Sequence, residues 1–175
     1  MKSVILSYSY TGNNNALAES VAKELSVEHL KITEATARSM GKIVFDMLFN
    51  RTPAVTPEPA KLQQYDHIIF VGPVWMGQPA SPLRGYFNYL KTAPKKYSFV
   101  SISGGALNPN PKLAPSLEKK TGAKPEAFID LHISDFLPSG NQSTAKETSS
   151  YKLNEEDIKK LTKEVVAKVK PVFET

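Results

Sequence analysis

Val4-Ile5-Leu6-Ser7-Tyr8-Ser9-Tyr10-Thr11-Gly12-Asn13-Asn14-Asn15 is the stretch on which the fold turns. A short apolar run, Val4-Ile5-Leu6, gives way to a loop of hydroxyls, one glycine and amides. Leu17, Val21 and Leu25 then follow at i, i+4 and i+8. That order reads as a buried strand over Ser3 to Ser7, a turn, and an amphipathic helix over Asn14 to Leu25. At such a junction the first N–H groups of the helix point outward unpaired, and the helix dipole favours an anion. Ser9 and Thr11 can donate O–H bonds, and Gly12 lets the backbone turn back without a Cβ clash. The composition suits a phosphate monoester. The loop carries no Lys or Arg, so dipoles and hydrogen bonds would hold it. The same residues also make an ordinary turn followed by a helix cap.

Outward from this stretch the chain alternates between strand and helix patterns. His29 to Thr33 is a second short strand, and Ile43 to Phe49 is apolar and helical. Thr52 to Gln64 holds Pro53, Pro57 and Pro59 and reads as an irregular connection. Ile68-Ile69-Phe70-Val71 forms the body of a third strand, followed by a loop from Pro73 to Ala80. Ser81-Pro82 supplies an N-cap and a first-position proline for a helix presenting Leu83, Phe87 and Leu90. Tyr97 to Ser103 is a fourth strand ending at Gly104-Gly105. Leu113 and Leu117 mark a short helix, expected to be distorted around Pro115, and Ala127 to Ile133 is a fifth strand. Ser139 to Ser150 reads as an exposed polar loop. Asn154, with Asp157 three residues on, caps a last helix whose apolar stripe is Ile158, Leu161, Val165 and Val169.

Continuous apolar strands argue for a parallel sheet covered on both faces. Right-handed crossovers then make a three-layer, doubly wound α/β fold the economical arrangement, one domain over residues 1–175. Ligands of such folds bind outside the carboxyl ends of the strands, at the topological switch point.

Composition narrows the function. The 175 residues are 41% hydrophobic and contain no cysteine, which removes disulfides, thiolate metal sites and thiol catalysis. No apolar run approaches the length of a membrane span or a signal h-region, so a cytoplasmic protein with no membrane partner is expected. The net charge of +5 admits an acidic partner. Its lysines are dispersed, however, with Lys152, Lys159, Lys160, Lys163, Lys168 and Lys170 read as the solvated face of the last helix. Zinc-finger spacing and basic-aromatic interleaving are missing, and no nucleic-acid partner is expected. The three histidines, His29, His67 and His132, have no metal-ligand spacing.

Three loops follow strands one, three and four and converge on one sheet edge: Ser9 to Asn14, Pro73 to Ala80, and Ser103 to Asn108. The second holds the only tryptophan, Trp75, between prolines and a glycine. Trp75 could stack offset on a flat ring, or could be a core side chain. The third is small and glycine-rich, so a ring could approach its backbone; it is equally a plain strand-to-helix turn. Together the loops suit a phosphorylated, planar aromatic ligand.

At these residues the chain resembles the flavodoxin-like superfamily. Tyr8-Ser9-Tyr10-Thr11-Gly12-Asn13-Asn14 resembles its FMN phosphate loop, and Val71 to Ala80 is similar to the loop that packs on the isoalloxazine. Ser101-Ile102-Ser103-Gly104-Gly105 is similar to the second flavin-flanking loop. The resemblance implies strand order 2-1-3-4-5 and a bound FMN. It places Ser9, Thr11, Gly12, Asn13 and Asn14 on the phosphate, Val74, Trp75, Met76 and Gly77 along the ring, and Ser103, Gly104 and Gly105 at its pyrimidine side; Pro73 and Tyr10, the second aromatic candidate after Trp75, complete the cofactor-binding set. Two features depart from the family pattern. Asn14 replaces a third phosphate-loop hydroxyl, with an amide still able to donate, and the ring-flanking loops hold no Asp or Glu where carriers of this family are acidic.

The leading expectation is an FMN-binding redox protein exchanging electrons with a protein partner or a small-molecule acceptor. Its alternatives are an NAD(P)H-dependent FMN quinone or flavin reductase, and a flavin-less interaction module on the same fold. Receiver, Rossmann, P-loop and Ser-His-Asp hydrolase signatures are all missing.

Overall fold

Strand β1 (Ser3–Ser7) is buried at every position, and its neighbours explain why. It pairs in parallel with β2 (Glu28–Lys31) on one side and β3 (His67–Val71) on the other, with Ser7 level with Lys31 and Val71. The structure is a computed structural model and describes residues 1–36, 39–104 and 110–173. Two short strands, β4 (Val74–Trp75) and β5 (Gln78–Pro79), form an antiparallel hairpin. The main sheet continues with β6 (Lys96–Ser103) and β7 (Phe128–His132), giving a five-stranded parallel sheet in the order β2-β1-β3-β6-β7. The expected numbering 2-1-3-4-5 is therefore amended: the hairpin, read as loop in the sequence, takes positions four and five along the chain.

Alternation along each strand sends successive side chains to opposite faces. Val4, Leu6, Ile68, Phe70 and Phe99 face α3 (Arg84–Thr92) and α4 (Leu113–Thr121), and pack on Leu83, Phe87, Leu90, Leu113 and Leu117. Ile5, Ile69, Val71, Val100 and Ile129 face α1 (Asn13–Leu25) and α6 (Glu155–Phe173), and pack on Leu17, Val21, Leu161, Val165 and Val169. Two cores on opposite faces of one sheet make three layers. Each fully buried Leu, Val or Ile stabilises the fold by about 1.5–3 kcal/mol. Pro115 falls in the first turn of α4, where its missing N–H leaves no bond unmade, and the helix is continuous rather than distorted.

Two further helices were not both expected. α2 (Met40–Leu48) is capped by Ser39, which accepts from Lys42 N at 3.3 Å. α5 (Ala145–Ser150) lies inside the stretch read as an exposed loop. The proline-rich connection after α2 is tied down from α3. Arg84 donates to the carbonyls of Asp46 at 3.3 Å and of Arg51, and Tyr86 donates its hydroxyl to the carbonyl of Pro57. No helix among the described residues is long and apolar enough to cross a membrane.

Candidate functional site

The order of strands reverses between β1 and β3, and the loops after β1, β3 and β6 meet there. They enclose a cleft of about 330 Å³, within the range of small-molecule pockets. Among the described residues, its walls carry no charged side chain. Tyr10, Thr11, Asn13 and Asn14 line one end, Pro73, Val74, Trp75 and Met76 one side, and Ser103 and Gly104 the other. Ser9 and Gly12 are not among the lining residues, and Gly77 lines a neighbouring groove. Gly105 lies outside the described residues, as do Ala106 to Asn108.

The first loop is built as its residue types suggest. Gly12 caps α1 at φ 102°, a left-handed conformation that favours glycine. Its N–H donates to Ser9 Oγ at 2.9 Å, leaving the Ser9 hydroxyl proton free to point elsewhere. The N–H groups of Asn13, Asn14 and Asn15, at the head of α1, have no acceptor among the described residues, and no acid stands in that first turn. The side chains of Asn13 and Asn14 do something the sequence did not announce. Asn14 gives one amide N–H to Ile102 O at 2.9 Å and accepts from Ile102 N at 3.0 Å, fastening the first loop to the end of β6. Asn13 gives its amide to Tyr151 O at 2.9 Å and accepts from Leu153 N at 3.2 Å.

Between those two contacts stands Lys152, whose ammonium donates to the carbonyl of Thr11. Sequence reading placed Lys152 on the solvated face of the last helix, but α6 begins only at Glu155. The first loop lacks a cation of its own and receives one from far along the chain.

Trp75 is half-buried in β4 and meets Tyr8 and Tyr10 edge-on, with ring centroids at 5.8 and 6.3 Å. It is neither a core residue nor a free loop side chain: the hairpin holds it. The hairpin turns through Met76 and Gly77 at φ 50° and 74°, both positive as a type I′ turn requires. A methionine in that conformation, with its side chain exposed beside the cleft, is strained in the way binding loops often are.

Six lining residues lie outside the predicted set: Ile102 at the end of β6, Ile133 just after β7, and four from two helices. Ile43 and Val44 come from α2, and Thr148 and Ser149 from α5. Thr148 is buried, and its Oγ1 lies 3.0 Å from where a Cβ on Gly104 would sit, so only glycine fits there without movement. The signal for α5 was legible: Thr144 and Glu147 are a Thr-x-x-Glu capping box, with Glu147 N donating to Thr144 Oγ1 at 3.2 Å and Thr144 N to the Glu147 carboxylate at 2.7 Å.

Beside the cleft, sharing Met76 with it, runs a polar groove lined by Lys112, Lys119 and Lys120. Burial, and then the charges of Arg84 and Lys119, push the Lys120 ammonium below its ordinary range. Among the described residues no cluster of His, Asp and Glu is placed to hold a metal.

Taken with the strand order and the cleft at the switch point, the architecture is that of the flavodoxin-like fold. A flavoprotein from Lactobacillus acidophilus, solved in complex with FMN, superposes with a TM-score of 0.61 at 20% identity, over 74% of this chain and 92% of its own. Oxidised Flavodoxin 2 from Bacillus cereus superposes at 0.56 and 17% identity, over 98% of this chain and 99% of its own. The flavodoxin of Streptococcus pneumoniae TIGR4 gives 0.52 and 16%, over 93% and 94%. No family model and no curated protein sequence matches the chain.

Proposed function

We propose that the cleft binds FMN non-covalently and that the protein exchanges electrons with a partner through it. One observation carries the reading. N–H groups at the head of α1 with no acceptor among the described residues, beside the hydroxyls of Ser9 and Thr11, open onto one end of a cleft walled by Trp75, whose described lining carries no charge. Such donors suit a phosphate, and the apolar walls suit a flat ring. The residues present therefore fit the cofactor that the Lactobacillus flavoprotein carries.

In this reading the backbone of Thr11 to Asn15 and the hydroxyls of Ser9 and Thr11 hold the phosphate. Val74, Trp75 and Met76 flank one side of the ring, and Ser103, Gly104 and Gly105 its pyrimidine side, with Thr148 behind Gly104. Bound FMN supplies the one- and two-electron chemistry, and the side chains position it and keep water from it. Electron carriage is the leading role.

A two-electron reductase fed by NAD(P)H is the second reading. The observation favouring it is the lysine-lined groove against Met76, where an anionic cosubstrate could lie beside the ring.

The test is the visible spectrum of the purified protein after incubation with FMN and desalting. Retained, perturbed flavin bands are expected, and a colourless protein would sink the proposal. With FMN bound, consumption of NADH or NADPH in the presence of a quinone favours the reductase. Its absence, with reduction proceeding in separate one-electron steps, favours the carrier.

A further inference from the structure

We infer that Lys152 is a cation set over the phosphate end of the cleft, and that Asn13 is the positioning residue that keeps it there; the inference rests on reading the cleft as an FMN site. The Lys152 ammonium donates to Thr11 O, and lies 4.0 Å from where a Cβ on Gly12 would sit, so it is already at the mouth of the first loop. An ammonium has three donors, and one bond to a carbonyl leaves two. Among the described residues no carboxylate is within ion-pair distance of it.

The backbone on either side is pinned, which is unusual for an exposed lysine. Upstream, Tyr151 N closes α5 on Glu147 O at 3.1 Å, and the Tyr151 hydroxyl donates to Asp157 at 2.8 Å. Downstream, Leu153 packs into the core beneath α1 and α6, and Asn154 N donates to Asp157 at 3.0 Å. Asn13 spans the two sides with one amide, donating to Tyr151 O and accepting from Leu153 N. The first residue of α1 thus uses its side chain to hold a lysine over its own helix end.

A cation on a pinned segment adds a charge-assisted bond to a phosphate dianion that dipoles alone would not supply. It adds nothing toward a flavin lacking the phosphate. Lys152 therefore sets the preference for the phosphorylated cofactor, and makes that preference sensitive to salt.

The experiment is titration of the apoprotein with FMN and with riboflavin, at low and high salt, for wild type, K152M, K152R, N13A and the K152M/N13A pair. For K152M, FMN affinity is expected to fall about three- to tenfold while riboflavin affinity holds, with a shallower salt dependence. K152R should keep most of the preference. N13A should lower the FMN-to-riboflavin ratio as K152M does, with little further loss in the pair. Unchanged FMN binding by K152M, or equal losses for both flavins, overturns the inference and leaves the flavin reading standing. Wild-type protein that takes up neither flavin overturns both.

Discussion

His67 shows how a single side chain can couple this fold to pH. It is fully buried at the start of β3, with Nε2 on Ser98 Oγ at 3.0 Å and its ring edge-on to Phe173 at 5.4 Å. Burial, reinforced by Lys96, pushes its pKa from 6.5 down to about 4. The unfolded chain therefore binds more protons than the folded one between those values, and stability rises with pH across that window. The full contribution is present above about pH 6.5. As pH falls toward 4, roughly 3 kcal/mol is lost, to be read as a drop in the urea midpoint. H67Q should flatten that dependence, and an unchanged slope in H67Q would place the effect elsewhere. His132 works in the opposite sense, its pKa held up by its hydrogen bond to Asp130, so its smaller contribution is lost as pH rises. At this scale the sequence named residue types well and roles less well. Gly12 sits where its freedom is used, whereas the amides of Asn13 and Asn14, placed at the phosphate end by the resemblance, each give one N–H to the chain, at Tyr151 O and Ile102 O. Composition shows that an amide can donate; only the chain's path shows to what.

Elements were legible in proportion to the apolar surface they bury. β1 and β3 centre on apolar runs, β6 is buried along most of its length, α1 and α6 carry clean stripes, and each was placed within a residue or two. The hairpin β4–β5 and the helix α5 were missed because neither is held by an apolar face of its own. Two-residue strands have no period to read, and in α5 only Thr148 is buried. What holds α5 is its capping box, so T144A should cost about 1 kcal/mol of stability. Because Thr148 and Ser149 line the cleft, the same variant should weaken FMN and riboflavin together, unlike K152M. Urea unfolding and paired flavin titrations separate these effects. Normal binding of both flavins by T144A would mean that α5 does not shape the cleft.

For the molecule as a whole, the contrast is between a cleft whose described lining carries no charge and a chain of net positive charge. The chain carries +5, and Lys112, Lys119 and Lys120 concentrate positive charge in the groove beside Met76. A charged reactant approaching that rim feels the summed field before it feels any contact. From about 10 mM to about 1 M salt the screening length falls from about 30 Å to about 3 Å, so the field acts at one extreme and not at the other. With FMN bound and reduced, oxidation by ferricyanide, an anion, should be severalfold faster at the low-salt end. Oxidation by a cobalt hexaammine cation should run the other way. Reversing two groove charges in K119E/K120E should flatten both dependences while leaving the high-salt rates near wild type, because neither residue lines the cleft. Stopped-flow reoxidation at graded salt reads all four series. If the double variant kept the wild-type salt dependence, electrons would leave by another face, and the lysine groove would lose its claim to be the docking edge for either a protein carrier's partner or an anionic cosubstrate.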